Sequence, residues 1–148
     1  MKLIPFVIVF FAAASLFAFP MKGLEQHSEL KMSHFKFDGS YKPEADKSPY
    51  KLMCVWNSEK RISKKQHDSF IEFCKTSKYT CISVDQLGKD HTDENVHAAV
   101  DKDGYIDTWG IVALPMTIIL DSKNKIVDAV GYEGQYQHIM SEIVSKLK

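Results

Sequence analysis

The sequence predicts an α/β domain with a central mixed β-sheet flanked by helices. Three patterns carry that expectation. Two apolar, β-rich runs, YKLMCVW at residues 50–56 and YTCISVD at 79–85, bracket a helical stretch and so form a β-α-β unit. Two further runs, MTIILD (116–121) and KIVDAVGY (125–132), are split only by Ser122-Lys123-Asn124 and read as an antiparallel hairpin. The tail from Gln135 places Ile139, Ile143, Val144 and Leu147 at helical spacing, giving an amphipathic helix to dock on the sheet.

The first eighteen residues stand apart from this pattern. Lys2 is followed by an apolar run from Leu3 to Phe19 with small residues near its end, the signature of a secretory signal peptide cleaved after Ala18. The run is short of the ~20 residues that span a bilayer, so a membrane role enters only if the segment stays uncleaved. The chain thus divides into a signal peptide at 1–18, a flexible leader at 19–33 and a domain at 34–148. Export places it in the periplasm or outside the cell.

Within the domain, His34, Phe35, Phe37 and the Asp38-Gly39 turn suggest a short opening strand or hairpin. Residues 50–56 form a compact apolar run interrupted by Lys51, as in a strand buried on both faces. Ser58 is placed to cap a helix running to about Cys74. The polar first half of that helix is expected in solvent, and Phe70, Ile71, Phe73 and Cys74 anchor its end. Residues 94–100 are expected to form a short helix. Lys plus Arg and Asp plus Glu are both 19 in the whole chain, and removal of Lys2 with the leader leaves 18 − 19 = −1. That balance lacks the basic surplus a nucleic-acid partner requires.

The segment Trp109-Gly110-Ile111-Val112-Ala113-Leu114-Pro115-Met116-Thr117, taken with the element order, resembles the thioredoxin superfamily, in particular its exported TlpA-like members. Asp101-Lys102-Asp103-Gly104 and Val130-Gly131 also match places where these proteins have a turn and a Val-Gly pair, so the resemblance runs from about residue 34 to the end. It implies a thioredoxin-like fold, a cis Pro115, and a Leu114 backbone exposed to pair with an extended peptide, with Trp56 beside it. The resemblance also places a catalytic Cys-x-x-Cys at the start of the helix after the first core strand, where the helix N-terminus activates a thiolate. Two alignments put either Lys60 and Ser63, or Asn57 and Lys60, at those positions. Neither contains a thiol. In the first, Cys54 stands where many relatives keep a buried acid or Asn. Lys60, Arg61, Lys64 and Lys65 crowd the same helix start, as a solvated face or as a surface for an acidic partner.

Cys54, Cys74 and Cys81 are an odd set for an exported chain, so at least one is unpaired or pairs between chains. Six residues separate Cys74 from Cys81, a span a structural disulfide can close; Cys54–Cys81 pairing across neighbouring strands and three buried free thiols are the alternatives. Residues 101–107 lack the first and last carboxylates of a calcium loop. Asp90, His91, Asp93, Glu94 and His97 have no metal-ligand spacing. No metal or cofactor is expected. The reading is therefore a redox-inactive binding or scaffold protein of the cell envelope, whose partner is another envelope protein or an extended peptide. The alternative is a thiol-disulfide oxidoreductase acting through Cys74, Cys81 and Cys54.

Overall fold

The computed structural model describes residues 25–89, 93–109, 114–131 and 134–147. The expected signal peptide lies outside them, as do Asp90, His91, residues 110–113 of the Pro115 motif, and Tyr132. Six strands form one mixed sheet: β1 (Phe35–Phe37), β2 (Tyr50–Trp56), β3 (Thr80–Asp85), β4 (His97–Asp101), β5 (Met116–Asp121) and β6 (Ile126–Val130). Their spatial order is β1-β4-β3-β2-β5-β6. β2, β3 and β4 run parallel, while β1, β5 and β6 each run antiparallel to a neighbour. The helices are α1 (Arg61–Cys74) and α2 (Tyr136–Ser145).

Period-two alternation along the central strands sorts side chains into two cores. Leu52, Cys54 and Trp56 of β2 and Cys81 of β3 face Phe70 and Cys74 of α1 and Tyr136 and Met140 of α2. Met53, Val55, Ile82, Val84, Ile118 and Leu120 face the other way, onto Leu30, Phe35, Ile106 and Trp109. Both described helices thus share one face of the sheet. The opposite face is closed by the N-terminal segment and a short 3-10 turn at Ile106–Trp109.

Four local expectations change. The helix placed at 94–100 is a strand instead: β4 pairs in parallel with β3 and antiparallel with β1. The small side chains of Ala98 and Ala99 are buried there within the sheet. The leader placed at 19–33 is already in the fold by residue 27. There the His27 N–H donates to the Ile126 carbonyl at 2.8 Å, the Ile126 N–H to Ser28 at 2.9 Å, and Leu30 is fully buried. Ser58 does not cap α1. The residue preceding the helix is Lys60, which makes no side-chain capping bond. Finally, the first half of α1 is not wholly solvated: Ser63, Gln66 and His67 are buried. They sit seven, four and three residues before Phe70, so they continue its stripe with polar groups that find partners inside.

Lys51 is an unusual core member. It lies on the face opposite the helices, fully buried, and its ammonium finds no hydrogen-bond partner among the described residues. Its charge acts on Asp46. Burial alone would raise that carboxyl, but hydrogen bonds from the Ser48 N–H, Tyr41 and Thr80, together with the Lys51 charge, hold it below its ordinary value.

Candidate functional site

The ends of β2 and β3 and the start of β5 meet at one end of the sheet. Met116 pairs with Val55, so Pro115 stands at the level of Trp56 and Leu114 beyond it. The Leu114–Pro115 peptide is cis. Leu114 is half-buried and packs on the core face opposite the helices, while Pro115 is buried. These two residues therefore adjoin the loop that leads into α1.

That loop is tightly bonded. The Asn57 N–H donates to the Ser63 hydroxyl oxygen at 2.8 Å, and the Asn57 side-chain oxygen accepts the Glu59 N–H at 3.1 Å. Asn57 Nδ2 donates to Gln86 Oε1 at 3.2 Å. Buried Asp85 accepts the N–H groups of Ser58 and Leu87 at 3.3 and 3.1 Å. Of the positions singled out by the two alignments, Asn57 and Ser63 are thus buried structural groups, and Lys60 is exposed. The Ser63 hydroxyl, 1% exposed, is committed to the backbone. None of the three carries a thiol.

Trp56 is 2% exposed and lies beneath this loop, not on a peptide-facing surface. Its ring stacks on His67 with centroids 3.7 Å apart and planes 6° from parallel. The Trp56 Nε1–H donates to Ser83 Oγ at 3.0 Å, and His67 Nε2 lies 2.7 Å from that same oxygen. Sequence reasoning missed this trio. Its one signal was spacing: His67 falls on the stripe that Phe70 and Cys74 define. A Ser–His contact invites comparison with a nucleophile and base. Here the serine is buried under the indole and shared by two partners, so it works as a fastener for α1.

The cysteines separate by role. Cys74 and Cys81 form a disulfide with Cα atoms 6.2 Å apart. It ties the C-terminal end of α1 to the start of β3. At 1.5 Å per residue it lies roughly 20 Å along the helix from the N-terminal loop. Cys54 is free and fully buried. Burial pushes its thiol up to about 12, opposed by a weaker effect of the Thr117 hydroxyl. Thr117 sits directly across from Cys54 in the β2–β5 register, and its Oγ1 lies 2.9 Å from the Tyr136 hydroxyl. Burial, then the nearby Cys54, raises the Tyr136 hydroxyl well above its ordinary range. A thiol so placed is neither exposed nor ionised near neutral pH. Among the described residues no group of three or more His, Cys, Asp or Glu side chains is arranged to hold a metal ion.

No family profile and no curated protein sequence matches the chain. Solved structures do match, and they give the architecture a name. The exposed lipoprotein thioredoxin of Streptococcus pneumoniae aligns with TM-score 0.56 and 18% identity over 71% of this chain and 90% of its own. The thioredoxin domain of a Bacteroides vulgatus thiol-disulfide oxidoreductase aligns with TM-score 0.57 and 17% identity, over 82% and 99%. A thiol:disulfide interchange protein from a Bacteroides species gives 0.59 and 17%, over 84% and 91%. The chain has a thioredoxin-like fold. At these identities the likeness concerns the fold alone.

Proposed function

We propose that this chain is an exported thioredoxin-fold protein that binds a segment of another envelope protein and performs no thiol-disulfide chemistry. One observation carries the reading. Where this fold places a reactive thiol, the loop into α1 and the helix's first turn hold Asn57, Lys60 and Ser63, and the buried two are consumed by structural hydrogen bonds. The remaining sulfur groups are poorly suited to turnover: Cys54 is buried and its thiolate disfavoured, and Cys74 and Cys81 are buried at the far end of the helix. The Leu114–Pro115 edge is retained beside the loop, as a place for an extended segment to pair.

Export is supported by the Lys2-plus-apolar start and by a disulfide that suits an oxidising compartment. The pneumococcal protein of similar fold is itself described as an exposed lipoprotein. Among the described residues no helix is long and apolar enough to cross a membrane. The reading needs no cofactor or metal. Residues 1–18 act as the removable address, and the folded domain begins well before residue 34.

Dithiothreitol-driven insulin reduction tests this against turnover through Cys74–Cys81 with Cys54 as resolving thiol. The wild-type rate is expected to equal that of a Cys54→Ala/Cys74→Ala/Cys81→Ala variant. A wild-type rate well above that variant's overturns the proposal.

A further inference from the structure

The loop between β1 and β2 is held shut by one carboxylate. After Asp38, whose N–H still bonds the Ala98 carbonyl of β4 at 3.0 Å, the chain turns at Gly39 with a φ of +58°. It then passes through a short 3-10 turn at Pro43–Ala45 that has no side-chain cap, and reaches β2 through Pro49. The Tyr41 ring stacks on His97 of β4, with centroids 4.1 Å apart and planes 12° from parallel. Its hydroxyl donates to Asp46 Oδ2 at 2.8 Å, and the Ser48 N–H donates to Asp46 Oδ1 at 2.8 Å. The Thr80 hydroxyl reaches the same carboxylate from β3. Asp46 therefore gathers both ends of the loop onto the start of β3.

Asp46 also faces Lys51. Lys51 pairs with Thr80 in the β2–β3 register, is fully buried, and makes no hydrogen bond with its ammonium among the described residues. An ammonium taken out of water depends on a nearby opposite charge, and Asp46 is a carboxylate on which the Lys51 charge acts. The other charged groups around the loop do not fasten it. Lys42, Glu44 and Lys47 are exposed, and Asp38 is half-buried before the turn. Asp93, Glu94 and His97 stand on the β4 side of a concavity of about 800 Å³ that the loop walls. Asp93 is occupied by the Asn95 N–H at 2.8 Å, and His97 touches the loop through its ring.

We infer that residues 40–48 form an acid-released lid. Protonation of Asp46 removes the negative charge facing Lys51 and weakens the acceptor shared by Tyr41, Ser48 and Thr80, so the loop lifts and the ammonium reaches water. The direction follows from proton linkage. The closed loop holds the Asp46 carboxyl below its ordinary 3.8, so closure is complete well above that value and is lost as pH falls through the lower folded one.

Backbone amide hydrogen exchange of the mature protein, corrected for the intrinsic rate at each pH, reads the lid directly. Amides of 41–48 are expected to open severalfold more often at about pH 3 than at about pH 5, while β2, β3 and β5 stay protected. At neutral pH, Asp46→Asn is expected to speed the same amides at least about tenfold. Adding Lys51→Met to that variant is expected to bring them back to within about threefold of wild type. Loss of hydrogen bonds alone gives no such rescue, so a double variant as open as Asp46→Asn overturns the role of the Lys51 charge. A single variant that exchanges like wild type overturns the lid. If Asp46→Asn fails to fold, the wild-type pH series carries the test, and a flat profile from about pH 5 to about pH 3 overturns the inference. Opening that begins near pH ~6.5, where histidines ordinarily titrate, overturns the assignment to Asp46 in favour of His97. Loss of protection in β2 and β5 together with the loop overturns the lid in favour of ordinary acid unfolding.

Discussion

Reducing the Cys74–Cys81 bond should destabilise the domain by an amount that the loop it closes determines. The two cysteines are seven apart in sequence, so the closed loop contains eight residues. The chain-entropy expression for a loop of about eight residues gives roughly 2.5 kcal/mol at 25 °C. Both cysteines are buried, and as free thiols they remain small apolar groups, so little packing is lost with the bond. With a urea m-value of about 1.5 kcal/mol/M, the unfolding midpoint should fall by roughly 1.7 M under reductant. The assay is urea unfolding followed by circular dichroism, with and without a phosphine reductant, and with mass spectrometry counting the thiols. An unchanged slope and a midpoint shift near that size support a structural clasp between α1 and β3. A shift below about 0.5 M in fully reduced protein would refute the reasoning, because the bond would then constrain little in the unfolded chain.

Three further outcomes follow from buried groups. The Cys54 thiol is held near 12 in the folded protein against an ordinary value of 9.0, so its contribution to stability is complete below pH 9 and lost as pH rises toward 12. Denaturant midpoints of wild type should therefore fall between pH 9 and 10 more steeply than those of Cys54→Ala; parallel curves would contradict this. Ser83→Ala strips the shared oxygen from the Trp56 indole and His67, and should cost about 1–3 kcal/mol, with a change in tryptophan emission. A neutral result there would mean the trio fastens nothing. Lys51→Met replaces a buried ammonium that makes no hydrogen bond among the described residues by an apolar chain of similar length. It should leave the domain as stable or raise it by about 1 kcal/mol or more, and a marked loss in thermal midpoint would show that the Asp46 charge depends on Lys51.

Much of the sheet was legible because its signals are local. The largely apolar β2, the β-branched β3 and the β5–β6 pair with its short turn emerge at nearly their sequence-expected limits. β4 was not legible. Residues 94–100 contain two alanines and few β-branched side chains, which suits a helix in isolation; only the parallel seat beside β3 makes small residues favourable as a strand. The polar half of α1 misled for a related reason. Ser63, Gln66 and His67 carry no hydrophobic signal, yet each buries a polar group against a partner outside the helix: Asn57, Gly131 and Ser83 respectively. At the candidate site, the absence of paired thiols could be read directly. The burial of Trp56 could not, since it depends on α1 laying His67 across the indole.

Counting reactive sulfur in the native protein shows whether the fold leaves any thiol within reach of a substrate. No carbamidomethyl adduct is expected after iodoacetamide treatment of the folded, unreduced protein at neutral pH. One adduct, at Cys54, is expected after unfolding without reductant, and three after unfolding with it. Labelling of any cysteine in the folded protein within minutes would contradict it, because an accessible thiolate is what thiol-disulfide chemistry requires.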